Sequence, residues 1–147
     1  MRRFFLALAT GLIALSAQAE VIDIESAELE RLAKSGVPII DIRTQPEWEQ
    51  TGIVEGSKLL TFFDQNGKHN APAWLEKVKP IAAANQPVIV ICRSGNRTQA
   101  VSNFLSQQAG YSKVYNVKYG INRWLKEGRP VTQAAPVLAS CRADKTC

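Results

Sequence analysis

A chain of 147 residues with 46% hydrophobic content can form one domain with a real core, but not two, so a tandem two-domain arrangement is excluded. The formal net charge is +5, a balance that suits small anionic substrates and many other soluble roles. No basic run with interleaved aromatics is present, so nucleic-acid binding has no support.

Residues 1–19 read as a secretory signal peptide. Arg2 and Arg3 supply the positive start, Phe4 to Leu15 is apolar apart from Thr10 and Gly11, and Ala17-Gln18-Ala19 is an A-x-A cleavage site. The apolar part is short for a membrane span; an uncleaved anchor is the alternative. Cleavage removes two positive charges and leaves +3. The mature protein then begins at Glu20, is exported, and keeps no stable membrane association. A bacterial periplasm is the expected destination.

Residues 20–131 read as the folded domain. Val21 to Ile24 form a short first strand. Ser26 caps a helix with Leu29, Leu32 and Ala33 on its apolar side, ending at Gly36. Pro38 to Arg43 give the next strand, apolar until Asp41. Pro46 sits at a helix start with Glu47 and Glu49 behind it, and Trp48 packs into the core. Leu59-Leu60 mark a short strand. The polar run Asp64 to Asn70 is an exposed loop carrying His69, the sole histidine. An ordinary surface histidine is the first reading there, and a residue at the rim of a site the other. Pro72 opens a helix with Trp74, Leu75, Val78 and Ile81 on one side, broken near Lys79 by Pro80.

Val88-Ile89-Val90-Ile91 is a β-branched run suited to a strand buried on both faces. Cys92 follows where that strand ends. Arg93-Ser94-Gly95-Asn96-Arg97-Thr98 contain no large apolar residue. Ala100, Val101, Phe104 and Leu105 then share one side of a helix that ends near Gly110. The spacing places a thiol in a tight loop between a strand's C-terminal end and a helix's N-terminal end, where open α/β sheets bind ligands. Unpaired N–H groups and nearby arginines favour a thiolate over a thiol. Gly95 lets the backbone turn, and successive amides form a nest for a thiolate, a persulfide or an oxyanion. The alternative is a small buried hydrophobe at a strand end. Lys113 to Val117 read as the last strand. Gly120 precedes a short helix with Ile121, Trp124 and Leu125 in the core. Alternating strands and helices imply a parallel sheet covered on both faces.

Residues 132–147 read as an irregular tail. Cys141 and Cys147, at C-x5-C spacing in an exported chain, suggest a disulfide that leaves Cys92 free. The rival pairing joins a tail cysteine to Cys92 and silences or regulates it. A metal site in the tail is the weaker alternative, because two cysteines with no nearby histidine rarely suffice to hold a metal.

Cys92-Arg93-Ser94-Gly95-Asn96-Arg97-Thr98 resembles the active-site loop of single-domain rhodaneses, the thiosulfate sulfurtransferases, of the exported bacterial type. Asp41-Ile42-Arg43, Glu47-Trp48 and Gly52-Ile53-Val54-Glu55-Gly56 resemble the family's first motif. Gly120-Ile121-Asn122-Arg123-Trp124, then Gly128-Arg129-Pro130-Val131, resemble its C-terminal motif. The resemblance spans about Ile22 to Val131, and three motifs in the right order are specific.

It implies an α/β, rhodanese-like three-layer fold: a central, mostly parallel sheet with helices on both faces. It implies Cys92 as nucleophile, with Arg93, Ser94, Gly95, Asn96, Arg97 and Thr98 around the substrate. Arg93 and Arg97 would hold an anionic sulfur donor. Asp41 and Arg43 would form a supporting pair that braces the loop. Ile53 stands where the family usually carries a histidine, a departure that does not remove a general base. A persulfide on Cys92, formed from thiosulfate and discharged to cyanide or a thiol, needs no cofactor and no metal. The default oligomeric state is a monomer. Two other readings compete. A rhodanese-fold phosphatase or arsenate reductase needs five residues between Cys and Arg; here four separate Cys92 from Arg97. A non-catalytic rhodanese-like binding module shares the fold, which alone does not fix function.

Overall fold

The computed structural model describes residues 19–147. The signal segment read at 1–19 lies outside the described residues except for Ala19. Eleven elements follow one another among the described residues. The strands are β1 (Glu20–Ile24), β2 (Ile39–Asp41), β3 (Lys58–Leu59), β4 (Val88–Ile91) and β5 (Lys113–Val117). The helices are α1 (Ser26–Lys34), α2 (Gln45–Thr51), α3 (Ala71–Val78), α4 (Asn96–Gln107), α5 (Gly120–Lys126) and α6 (Ala134–Ala143).

The five strands form one sheet in the order β1-β5-β4-β2-β3, and every pairing is parallel. Parallel strands need crossovers, and helices supply them on both faces. β4 lies in the middle and is buried along its whole length. Its side chains alternate between two cores, as strand geometry requires. Val88 and Val90 join Trp74, Val78, Val101 and Leu105 under α3 and α4. Ile89 and Ile91 join Leu29, Leu32, Ile121 and Trp124 under α1 and α5. The all-apolar run is explained by burial on both sides. No helix among the described residues is long and apolar enough to cross a membrane.

Several local expectations change. The tail is not irregular: residues 134–143 form α6, and a disulfide joins Cys141 to Cys147 across 5.3 Å between Cα atoms. Ala134 and Leu138 of α6 cover Trp48, Ile53 and Leu59, forming a third, smaller core. Ile53 is fully buried there and exchanges two backbone hydrogen bonds with Thr132, each 2.9 Å. An isoleucine at this position fits a dry pocket under α6 better than a polar ring would.

Ser26 is not the cap of α1; Glu25 holds that position, and Ser26 is buried in the first turn. Leu125 is not core but sits exposed on α5, while Ile121 and Trp124 are buried as the spacing indicates. α3 stops at Val78, ahead of Pro80. α4 starts at Asn96, earlier than its apolar pattern shows, because Gly95 takes a left-handed conformation (φ 94°) and ends the loop abruptly.

Candidate active site

β2 and β4 are neighbours, so the segments after Asp41 and after Ile91 leave the sheet side by side at its carboxyl edge. Cys92 lies there, 1% exposed, and is the free cysteine of the described chain. The Gly95 amide donates to Cys92 Sγ at 3.2 Å. Thr98 Oγ1 lies 3.5 Å from the sulfur and donates to the Gly95 carbonyl at 3.0 Å. That hydroxyl has one proton, so while it serves the carbonyl it cannot also donate to the sulfur. Asn96, Arg97 and Thr98 form the first turn of α4, which directs its positive end at the site.

The loop admits little freedom. A Cβ on Gly95 would sit 1.9 Å from the Lys118 carbonyl oxygen. One on Gly120 would sit 2.4 Å from the Arg93 carbonyl carbon and oxygen. Glycine is required at both because the turn after β5 is pressed against the Cys92 loop. The Ile121 amide donates to the Cys92 carbonyl (2.9 Å) and the Asn122 amide to that of Arg93 (3.1 Å).

The two loop arginines part company. The Arg97 guanidinium binds the Glu47 carboxylate in a two-pronged pair at 2.8 and 2.5 Å. Glu47 also accepts from the Thr44 amide and hydroxyl, 3.0 Å each, which completes a capping box at the start of α2. The Arg97 hydrogen bonds are the largest of the effects that hold the Glu47 carboxyl at about 2, against a smaller opposing effect of burial. The same bonds raise the Arg97 guanidinium above its usual range. Arg93 is exposed, as are Ser94 and Asn96. Arg93 lines a cleft of about 440 Å³ with Asn122 and Leu125, opposite Glu47, Gln50 and Thr51.

Asp41 and Arg43 form a pair with neither side chain exposed, 2.7 Å apart at its shortest. The pair does not reach the 92–98 loop directly. Arg43 spends its other donors on α2 and its end: Thr51 Oγ1 (2.7 Å), the Gly52 carbonyl (3.0 Å) and the Glu47 carbonyl (3.4 Å). It therefore fixes the helix that carries Glu47, and Glu47 in turn fixes Arg97. Glu47 is the functional-site residue that sequence reasoning missed. Its capping-box spacing, Thr44-Gln45-Pro46-Glu47, is visible; its partner fifty residues on is not. His69 is exposed, stacked on Phe62 at 5.1 Å and edge-on to Phe63 at 5.0 Å between centroids.

A profile of the rhodanese-like domain matches residues 25–127. The chain belongs to the rhodanese-like family. Among the family's curated members, a sulfurtransferase of Allochromatium vinosum is 30% identical over 110 residues, 75% of this chain and 92% of its own length. Thiosulfate sulfurtransferase 18 of Arabidopsis thaliana is 29% identical over 116 residues, 76% of this chain and 84% of its own. The solved rhodanese-related protein of Thermoplasma volcanium superposes with a TM-score of 0.58 at 31% identity, covering 76% of this chain and 97% of that one. The family match stops before α6, so the stapled helix over Ile53 is an addition to the matched domain of this rhodanese-family chain.

Proposed function

We propose that this protein is a sulfurtransferase that carries sulfane sulfur on Cys92, taking it from thiosulfate or a related anionic donor and giving it to a thiophilic acceptor. The observation that supports this best is the Gly95 amide aimed at Cys92 Sγ, in a loop too small for a larger oxyanion: four residues separate Cys92 from Arg97, and Arg97 is already bound to Glu47.

Two displacements make up the cycle. The Cys92 thiolate attacks the outer sulfur of thiosulfate, the S–S bond of the donor breaks, and sulfite leaves with the electron pair. Cys92 then carries a persulfide whose outer sulfur is negative. Loop amides stabilise that charge, as amides do in an oxyanion hole. Arg93 meets the departing sulfite. Cyanide or a thiolate next attacks the outer sulfur, and the S–S bond to Cys92 breaks with its pair returning to Cys92 as thiolate. The net reaction moves one sulfur atom and needs no external oxidant. Ping-pong kinetics follow. The residues supply every group used, so no cofactor is proposed. The working form is proposed to be a periplasmic monomer, exported by the N-terminal segment, with Cys141–Cys147 closed and Cys92 reduced.

Mass spectrometry of the intact mature protein tests this. Thiosulfate treatment should add one sulfur atom, and cyanide should remove it. The Cys92→Ser variant should gain nothing. Turnover retained in that variant would refute the assignment, and an untouched mass in the wild type would favour a non-catalytic module.

A further inference from the structure

Tyr119 occupies the turn between β5 and α5 and is 37% exposed. Two cations flank its ring: Arg123 Cζ lies 4.8 Å from the centroid and Lys118 Nζ 5.4 Å. Neither makes an ion pair within 4.0 Å among the described residues; the neighbouring carboxylate, Glu127, is engaged at 2.8 Å by Arg129 instead. A Lys and an Arg held on one aromatic ring repel each other, and the ring offsets only part of that cost. Their outward N–H groups remain free to meet an anion, and a guanidinium matches a carboxylate best.

This turn is not a remote surface. It is pressed on the catalytic loop, with the Lys118 carbonyl against Gly95 and the amides of Ile121 and Asn122 on the carbonyls of Cys92 and Arg93. Both segments follow neighbouring strands at the carboxyl edge of the sheet. Sulfur transfer as derived above makes no use of Lys118, Tyr119 or Arg123. Cys92, at 1% exposure, admits only a slender group, so an acceptor must deliver its sulfur on a narrow arm and leave its bulk at the rim.

We propose that Lys118, Tyr119 and Arg123 form the recognition site for the carboxylate groups of a small thiol acceptor. The proposal rests on the persulfide reading of Cys92 and names the chemistry of its second substrate. The acceptor's carboxylates bind at Lys118 and Arg123 while its thiolate attacks the outer sulfur of the persulfide. The Cys92 S–S bond breaks, its electron pair returns to Cys92, and the acceptor leaves as a persulfide.

The test compares three thiol acceptors that share a two-carbon arm, with thiosulfate as donor: 3-mercaptopropionate, neutral mercaptoethanol and cationic cysteamine. The readout is the ratio of kcat/KM for 3-mercaptopropionate to that for mercaptoethanol, which cancels changes common to both. An exposed charge contact is worth a factor of roughly 2–5. The Lys118→Gln/Arg123→Gln variant should therefore lower the ratio about tenfold. Added salt should erode the wild-type ratio and leave that of the variant flat. Arg123→Glu should shift preference toward cysteamine. Ratios unchanged by these substitutions would overturn the site. A wild-type protein that takes no sulfur from thiosulfate, seen directly in its mass, would sink the sulfurtransferase reading and this proposal together.

Discussion

Glu47 holds Arg97. The two-pronged contact joins the first turn of α2 to the first turn of α4, so the helix aimed at Cys92 is tied to a helix fifty residues earlier in the chain. The guanidinium that the motif suggests as a donor ligand thus also ties two helices together.

A pH effect on stability follows. Glu47 has an ordinary value near 4.5 and sits at about 2 in the fold. A depressed carboxyl contributes stability above its unfolded value and loses it as pH falls toward its folded value. The contribution is full above about 4.5 and disappears between there and about 2. Its size is about 1–3 kcal/mol, given that both partners keep some solvent contact. In urea titrations, Glu47→Gln should be less stable than wild type at pH 7, and the gap should narrow by pH 3. A gap independent of pH would show that the carboxylate charge is not what matters.

Arg93 is left as the loop cation free to meet the donor. Arg93→Ala should raise the thiosulfate KM by about fivefold, with a smaller effect on kcat. Steady-state kinetics against thiosulfate at fixed cyanide would show it. An unchanged saturation curve would remove the donor-binding role.

The loop's shape is enforced by backbone contact at Gly95. Gly95→Ala places a methyl group on the Lys118 carbonyl at a positive φ, so it should cost at least about 2 kcal/mol and abolish persulfide formation. Thr98→Val is the milder probe. It removes the hydroxyl that holds the Gly95 carbonyl and with it the loop amide aimed at Sγ, and should slow sulfur transfer by roughly tenfold while the protein stays folded. Rapid-mixing measurement of sulfite release separates the two effects from simple unfolding.

The tail supplies stability to the helix that carries Glu47. Leu138→Ala should cost about 2–4 kcal/mol, because the side chain fills the core shared with Trp48, Ile53 and Leu59. Replacing Cys141 and Cys147 by Ser should cost about 2 kcal/mol, the entropy of a short closed loop. Thermal unfolding with and without reductant would check both; a reductant-insensitive wild type would exclude the staple's contribution.

The buried pair beneath α2 should be the least tolerant of change. Asp41→Asn leaves the fully buried Arg43 guanidinium without its counter-charge and should cost roughly 3–5 kcal/mol. Denaturant midpoints of the purified variant, or its failure to accumulate folded, would measure this.

Much of the architecture was readable along the chain. The β-branched run Val88 to Ile91 announced a strand buried on both faces, and the alternation of its side chains between two cores is what such a run is for. Cys92, the glycine three residues on and the helix after it placed the reactive loop, because those features are local. Boundaries were harder: α4 begins in polar residues, Asn96 and Arg97, which carry no apolar period to reveal it. The tail looked irregular because its helix buries only Ala134 and Leu138.

Sequence alone thus determined the strand–loop–helix that presents a thiol, since periodicity, glycine and the helix end act within a dozen residues. What Arg97 touches, what Arg43 braces, and why Ile53 can be apolar were decided only by tertiary structure. Each depends on partners between 4 and about 85 residues away in the chain. A side chain's charge is legible at its own position; the group that neutralises it is chosen by how the helices come to rest on the sheet.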